Sequence, residues 1–165
     1  MAHFFKISIM SIIFFLLAAL YACTSETETY TSKEGSVKID RAGEKADITI
    51  NTKDGETYSM SVNKGDLPEE WPSEIPVIAG GTIVFSQSDA KGMTQQVSIE
   101  TKQSAKDALE FYKKTFTSTG WNIENTMSMP QLQILNAKKD VREIMMQIAE
   151  DDDKTHIHLV LQKKS

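Results

Sequence analysis

From Val37 onward, apolar side chains recur at every second position in short runs divided by turn residues. Val37 and Ile39 form the first run, Ala46, Ile48 and Ile50 the second, and Tyr58, Met60 and Val62 the third. A period of two is the signature of a strand with one buried face. Gly43 marks a turn after the first run, and Asp54-Gly55 a hairpin turn between the other two, because both central positions of such a turn need positive φ. The pattern predicts two or three antiparallel strands over 36–63. Two more are expected at Thr82–Ser88 and Met93–Thr101, around the turn Asp89-Ala90-Lys91-Gly92. The period then lengthens. Ala105, Ala108, Leu109, Tyr112 and Phe116 keep helical spacing, Ser104 and Asp107 stand as a capping box, and Gly120 is a natural stop. Glu110 precedes Lys114 by four residues on the solvated side. Four further strands follow at Trp121–Ser128, Leu132–Lys138, Arg142–Ala149 and Thr155–Gln162. Their expected core residues are Trp121, Ile123, Leu132, Ile134, Ile144, Met146, Ile148, Ile157, Leu159 and Leu161.

Between the third and fourth expected strands lies Leu67-Pro68-Glu69-Glu70-Trp71-Pro72-Ser73-Glu74-Ile75-Pro76. A proline at every fourth position excludes helix and central strand, and pushes each preceding residue toward extended geometry. A stiff polyproline-like strap is predicted, with Leu67, Trp71 and Ile75 pressing on the core. Exposed, the same strap would be a partner-binding ligand, but packing is the simpler reading. The order of elements gives an α+β fold: an antiparallel sheet with one main helix packed on one face, preceded by an N-terminal β-hairpin unit. Residues 36–66 form that unit and 67–165 the α+β domain. A lone hairpin is marginal in water, so the unit is expected to dock on the α+β domain.

The N-terminus has a different character. Lys6 is its only side-chain cation, and an apolar run from Ile7 to Leu20 is broken only by Ser8 and Ser11. This is the length of a secretory core and short for a bilayer span. The run ends at Leu20-Tyr21-Ala22-Cys23, and Thr24-Ser25-Glu26 is polar. This resembles a bacterial lipoprotein signal, in which a small residue stands directly before the cysteine. The resemblance implies removal of residues 1–22, acylation of Cys23, and a domain held at a bacterial membrane facing the periplasm or the cell exterior. Tyr21 departs from the small residue usual at its position. Residues 23–35, with one aromatic side chain and no aliphatic one after Cys23, are expected to be a flexible tether.

The motif Leu67-Pro68-x-x-Trp71-Pro72-x-x-Ile75-Pro76-Val77, with Phe111-Tyr112…Phe116…Gly120-Trp121, is similar to small bacterial envelope lipoproteins of uncharacterised function. These carry a proline strap before a strand pair and an "FY…GW" helix. Trp71 stands where phenylalanine is commoner, and Ala79-Gly80-Gly81 where a Tyr-Pro-Gly turn is often seen. The resemblance spans 36–165 and implies fold and location, with no activity to carry over.

Composition narrows the chemistry. Of 165 residues, 18 are Lys or Arg and 23 Asp or Glu, a net charge of −5. Loss of Lys6 would make it more negative, so nucleic acid is not an expected partner and anionic headgroups would not attract the domain. A single cysteine excludes an internal disulfide and multi-cysteine metal sites. His156 and His158 share a strand face, and with Asp151, Asp152 and Asp153 nearby they are weak candidates for zinc or copper. No third ligand stands at fixed spacing, and solvent-facing histidines beside an acidic turn explain them better. The three aspartates lack the ligand alternation of a calcium loop, as does Asp89-Ala90-Lys91-Gly92. No Gly-x-Ser-x-Gly elbow is present, and Gly80-Gly81 precedes a strand and is no phosphate loop; Glu69, Glu70 and Glu74 could make a hydrolase pair, which spacing alone does not show. Met127-x-Met129 and Met145-Met146 offer soft copper ligands or an adaptable apolar surface. No cofactor is expected and no enzyme. The expected function is a lipid-anchored module that binds an envelope protein or component. The alternative is a small apolar ligand in a cleft between helix and sheet.

Overall fold

Tight turns between consecutive runs determine the topology. In the computed structural model, which describes residues 25–63, 65–151 and 153–164, the first four strands are β1 (Glu26–Ser32), β2 (Gly35–Ala42), β3 (Lys45–Thr52) and β4 (Thr57–Val62). β5 (Thr82–Ser88) and β6 (Thr94–Thr101) follow, then α1 (Ala105–Ser118). The chain ends in β7 (Asn122–Met129), β8 (Leu132–Lys139), β9 (Arg142–Glu150) and β10 (Thr155–Lys163). All ten strands join one antiparallel sheet in the order β1-β2-β3-β4-β5-β6-β10-β9-β8-β7. Every neighbouring pair is consecutive in the chain except β6 with β10, where Ile99 faces Ile157 and Val97 faces Leu159.

The helix and its caps follow the predicted chemistry. Ser104 Oγ accepts from the Asp107 amide at 3.1 Å and donates to the Asp107 carboxylate at 2.8 Å. At the other end Gly120 has φ 83°, the Trp121 amide reaches back to the Phe116 carbonyl at 2.8 Å, and the two rings meet at 5.7 Å. This is the Schellman arrangement, with its accompanying apolar contact. α1 buries Ala105, Ala108, Leu109, Tyr112 and Phe116. Against them lie Val97, Ile99, Leu135, Ala137, Ile144, Met146, Ile148, Ile157, Leu159 and Leu161.

Three expectations are corrected. The segment read as a tether forms β1, an edge strand in register with β2 from Glu26↔Arg41 to Ser32↔Gly35; backbone pairing and threonine-rich strand propensity supply what its missing aliphatic groups do not. The hairpin unit joins the α+β domain by backbone pairing, β4 edge to edge with β5. The strap is not a straight polyproline segment: amides of Trp71 and Ile75 close successive turns onto the carbonyls of Pro68 and Pro72 at 3.1 and 3.0 Å. Ile75 is buried and Trp71 half-buried against the core, but Leu67 is exposed. In β8 both alternating sets are apolar. Pairing of Leu135 with Met146 and Ala137 with Ile144 under α1 buries that set, leaving Leu132 and Ile134 on the other face. Residues 1–22 and Cys23 lie outside the described residues.

The apolar side of the sheet changes along its width. From β5 to β9 the buried side chains face α1. The row Ser61–Ser86–Val97–Leu159–Met146–Leu135 runs along that side. In β2 to β4 the apolar set lies on the opposite side, in the row Ile39–Ile48–Met60–Gln87–Gln96–Val160–Met145. The open face therefore carries apolar side chains that α1 does not cover.

Candidate functional site

The open face over β7 to β10 is built by register. Met127 pairs with Ile134, Ile134 with Gln147, Gln147 with His158, and His158 with Ser98. Beside this row runs Met129–Leu132–Ala149–His156–Glu100. Met127, Met129 and Met145 are 47%, 39% and 40% exposed, while Leu132, Ile134 and Val160 are half-buried beside them. The surface is apolar at its outer strands and grades into Gln147, His158, Ser98 and Gln96 toward the middle of the sheet. Flexible thioethers among branched side chains make a surface that can remodel to a partner. Met145 and Met146 point to opposite faces, and Met146 is fully buried under α1, so this pair cannot close on one copper ion.

His156 and His158 share the open face, as their spacing predicts. His156 Nε2 lies 3.0 Å from Asp151 Oδ2, and its Nδ1 3.7 Å from Glu100 Oε1. The hydrogen bond from His156, with the amides of Asp153 and Lys154, holds the Asp151 carboxyl below its ordinary value. His158 Nδ1 shares a hydrogen bond with Ser98 Oγ at 2.9 Å, and partial burial pushes its pKa down. The two rings therefore have different partners. Among the described residues no three His, Cys, Asp or Glu side chains are grouped to hold a metal ion.

The remaining sequence candidates do not converge. Glu74 bridges Arg142 at 2.8 Å and Lys139 at 3.2 Å, Glu70 pairs with Lys163 at 3.7 Å, and Glu69 lends its carbonyl to Gln95 Nε2 at 2.6 Å. Gly81 closes a turn onto the Ile78 carbonyl, and a Cβ there would lie 2.8 Å from Ile99 Cγ2. Asp89 folds its own turn, its carboxylate accepting the amides of Lys91, Met93 and Thr94 at 3.2, 2.7 and 2.9 Å.

Where the alternative reading puts a cleft, the space between helix and sheet is packed with side chains. Tyr112, Phe116 and Trp121 stack in succession there, with Arg142 5.2 Å above the Trp121 ring. A hollow of about 480 Å³ lies instead on the outer side of α1, along Glu110, Lys113, Lys114, Thr117 and Ser118. Another of about 200 Å³ lies at Glu56, Tyr58, Asp89, Ala90, Lys91 and Met93. Both are open to solvent. Sequence reasoning missed two buried polar atoms without a partner, Gln95 Oε1 and Trp121 Nε1. The strap passes close to the first of them, since the Gln95 amide group donates to the Glu69 carbonyl.

Residues 82–155 match the model of a START domain-like family. The match begins with β5, takes in α1 and the strands after it, and stops at the first residue of β10. It covers under half of the chain and leaves out the strap, β1 to β4 and the N-terminal segment. The START domain-like match thus supports a small domain in the region of the helix-covered sheet, without reaching the strap or the N-terminal residues that carry the lipoprotein resemblance. No curated protein and no solved structure matches the chain. Among the described residues no helix is long and apolar enough to cross a membrane.

Proposed function

We propose that this chain is a non-enzymatic, lipid-anchored binding module of the bacterial envelope. Acylated Cys23 attaches it to a membrane, and the open face of β7 to β10 engages a protein or envelope component. The observation that carries the binding reading is the exposure of Met127, Met129 and Met145 around Ile134, on the face of the sheet opposite α1. Exposed thioethers and branched side chains in one surface are a recurrent feature of adaptable binding sites. The test is site-specific photo-cross-linking in intact cells from position 145, with position 113 on α1 as the control. A discrete adduct from 145 that disappears in Ile134→Asp supports the proposal. Adducts from 113 alone, or none, overturn it.

A second reading keeps a small apolar ligand. It draws on the START domain-like match and on the unpaired Gln95 Oε1 and Trp121 Nε1. Since helix and sheet are packed together, such a ligand would have to displace the strap. Native mass spectrometry of residues 24–165 separates the two readings: a reproducible organic adduct favours the ligand, and a bare mass leaves the surface reading ahead.

A further inference from the structure

The stretch between the anchor position and the sheet is too short to act as a spacer. Cys23 precedes the first residue of β1 by three positions, a span of about 10 Å even when fully extended. β1 is itself hydrogen-bonded along its length to β2. Any lipid on Cys23 therefore holds the edge of the sheet close to the headgroups.

That edge belongs to the part of the sheet whose two faces differ most. One face of β1 to β4 carries Thr27, Thr29, Thr31, Lys38, Asp40, Asp47, Thr49 and Ser59. The other carries Tyr30, Val37, Ile48, Ile50, Tyr58, Met60 and Val62 around Ile39, which is itself buried. Tyr30 and Ile50 are the most exposed of this apolar set, at 55% and 39%. Tyrosine is suited to the boundary between headgroups and acyl chains. Glu26, Glu28 and Arg41 stand at the outer end of this face, with Arg41 3.6 Å from Glu28.

We infer that the apolar face of β1 to β4 rests on the lipid surface, so that the end of the sheet nearest the anchor is held against the membrane while β7 to β10 stay free to bind. This rests on the acylation of Cys23 proposed above. Lipid and face act as two signals: the acyl chains retain the protein, and the face fixes its orientation. A lipid surface is favoured over a protein partner at this face because the covalent anchor enters at its edge with no length to spare. The polar face of the same strands then points to solvent.

The test uses the lipidated protein, whose only native thiol is blocked by acylation. Ile50→Cys and Tyr30→Cys each give one labelling site for an environment-sensitive fluorophore, and Thr49→Cys reports the opposite face. In phosphatidylcholine vesicles containing spin-labelled acyl chains, labels at 50 and 30 are expected to be quenched at least twofold more than the label at 49. Equal quenching at all three sites overturns the inference. So does shielding of 50 from iodide without lipid quenching, which would mean that a second copy of the chain covers the face. Cys23→Ser is the separate control for the anchor. If it still matures and fractionates like wild type, the acylation reading fails. If anchoring holds and the labels stay unquenched, only the orientation fails.

Discussion

The hydroxyl of Tyr112 donates to the carbonyl of Pro76 at 3.2 Å, joining the centre of α1 to the last residue of the proline strap. The ring is fully buried, and burial pushes the hydroxyl pKa up, so it remains a donor across the physiological range. Tyr112→Phe should cost about 0.5–1.5 kcal/mol, the net worth of one hydrogen bond, and should loosen the strap first. Tyr112→Ala should cost about 3–5 kcal/mol. Urea midpoints, with hydrogen exchange at the Ile75 amide, check both.

Glu74 holds the strap to the turn between β8 and β9. Burial raises its carboxyl pKa, but Lys139 and Arg142 outweigh that and leave it below the ordinary 4.5. The unfolded chain takes up this proton at higher pH than the folded one. Its contribution is therefore present above about pH 4.5 and is lost as pH falls through the lower folded value. Glu74→Gln should destabilise by about 1.5–3 kcal/mol at pH 7, the range for hydrogen bonds to charged groups. The gap from wild type should shrink below pH 4.5, as measured by denaturation across that range.

His158 acts in the opposite chemical sense with the same pH trend. Burial disfavours its charged form, so its folded pKa lies below the ordinary 6.5. The unfolded state then binds more protons as pH drops through about 6.5, and stability falls until the folded value is passed. His158→Gln, which can still hydrogen-bond Ser98, should flatten stability against pH just below 6.5. An unchanged slope would show that this ring does not carry the dependence.

Trp121 closes the helix and lies between Phe116 and Arg142. Trp121→Ala should cost about 3–5 kcal/mol in a urea titration. Trp121→Phe should cost much less, since the indole N–H that it removes has no partner.

Gly81 passes close beneath Ile78 and Ile99. An added Cβ would lie 2.9 Å from the Ile78 carbonyl oxygen, a backbone atom that cannot rotate away. Gly81→Ala should cost about 1–3 kcal/mol by overpacking, read as a lowered thermal midpoint.

Most of the strands and the helix were legible because their chemistry is local. The capping pair Ser104–Asp107, the stop at Gly120 and the alternation Ile157, Leu159, Leu161 each decide their element without distant help. β8 was misread because Leu132, Ile134, Leu135 and Ala137 make both parities apolar, and only pairing with β9 chooses between them. β1 was missed because its stabilisation comes from a partner strand and not from its own side chains. The strap's turns depend on φ 63° at Glu70, a conformation that proline spacing does not foretell. For the candidate site, the histidine spacing gave the shared face of His156 and His158. The exposure of the methionines depended on where β10 inserts, which no local pattern records.

That insertion also governs when the chain can fold. β10 follows β9 in the chain, yet it lies between β6 and β9, so the two flanking sets of hairpins have no strand to join them until it arrives. Its pairing with β6 spans the helix and three strands, the most sequence-distant closure in the sheet and the one whose loop entropy slows folding most. A chain emerging N-terminus first, from a ribosome or across a membrane, keeps its main core open until β10 is free. Loss of β10 alone would leave two half-sheets with exposed edges rather than a shortened version of the native protein.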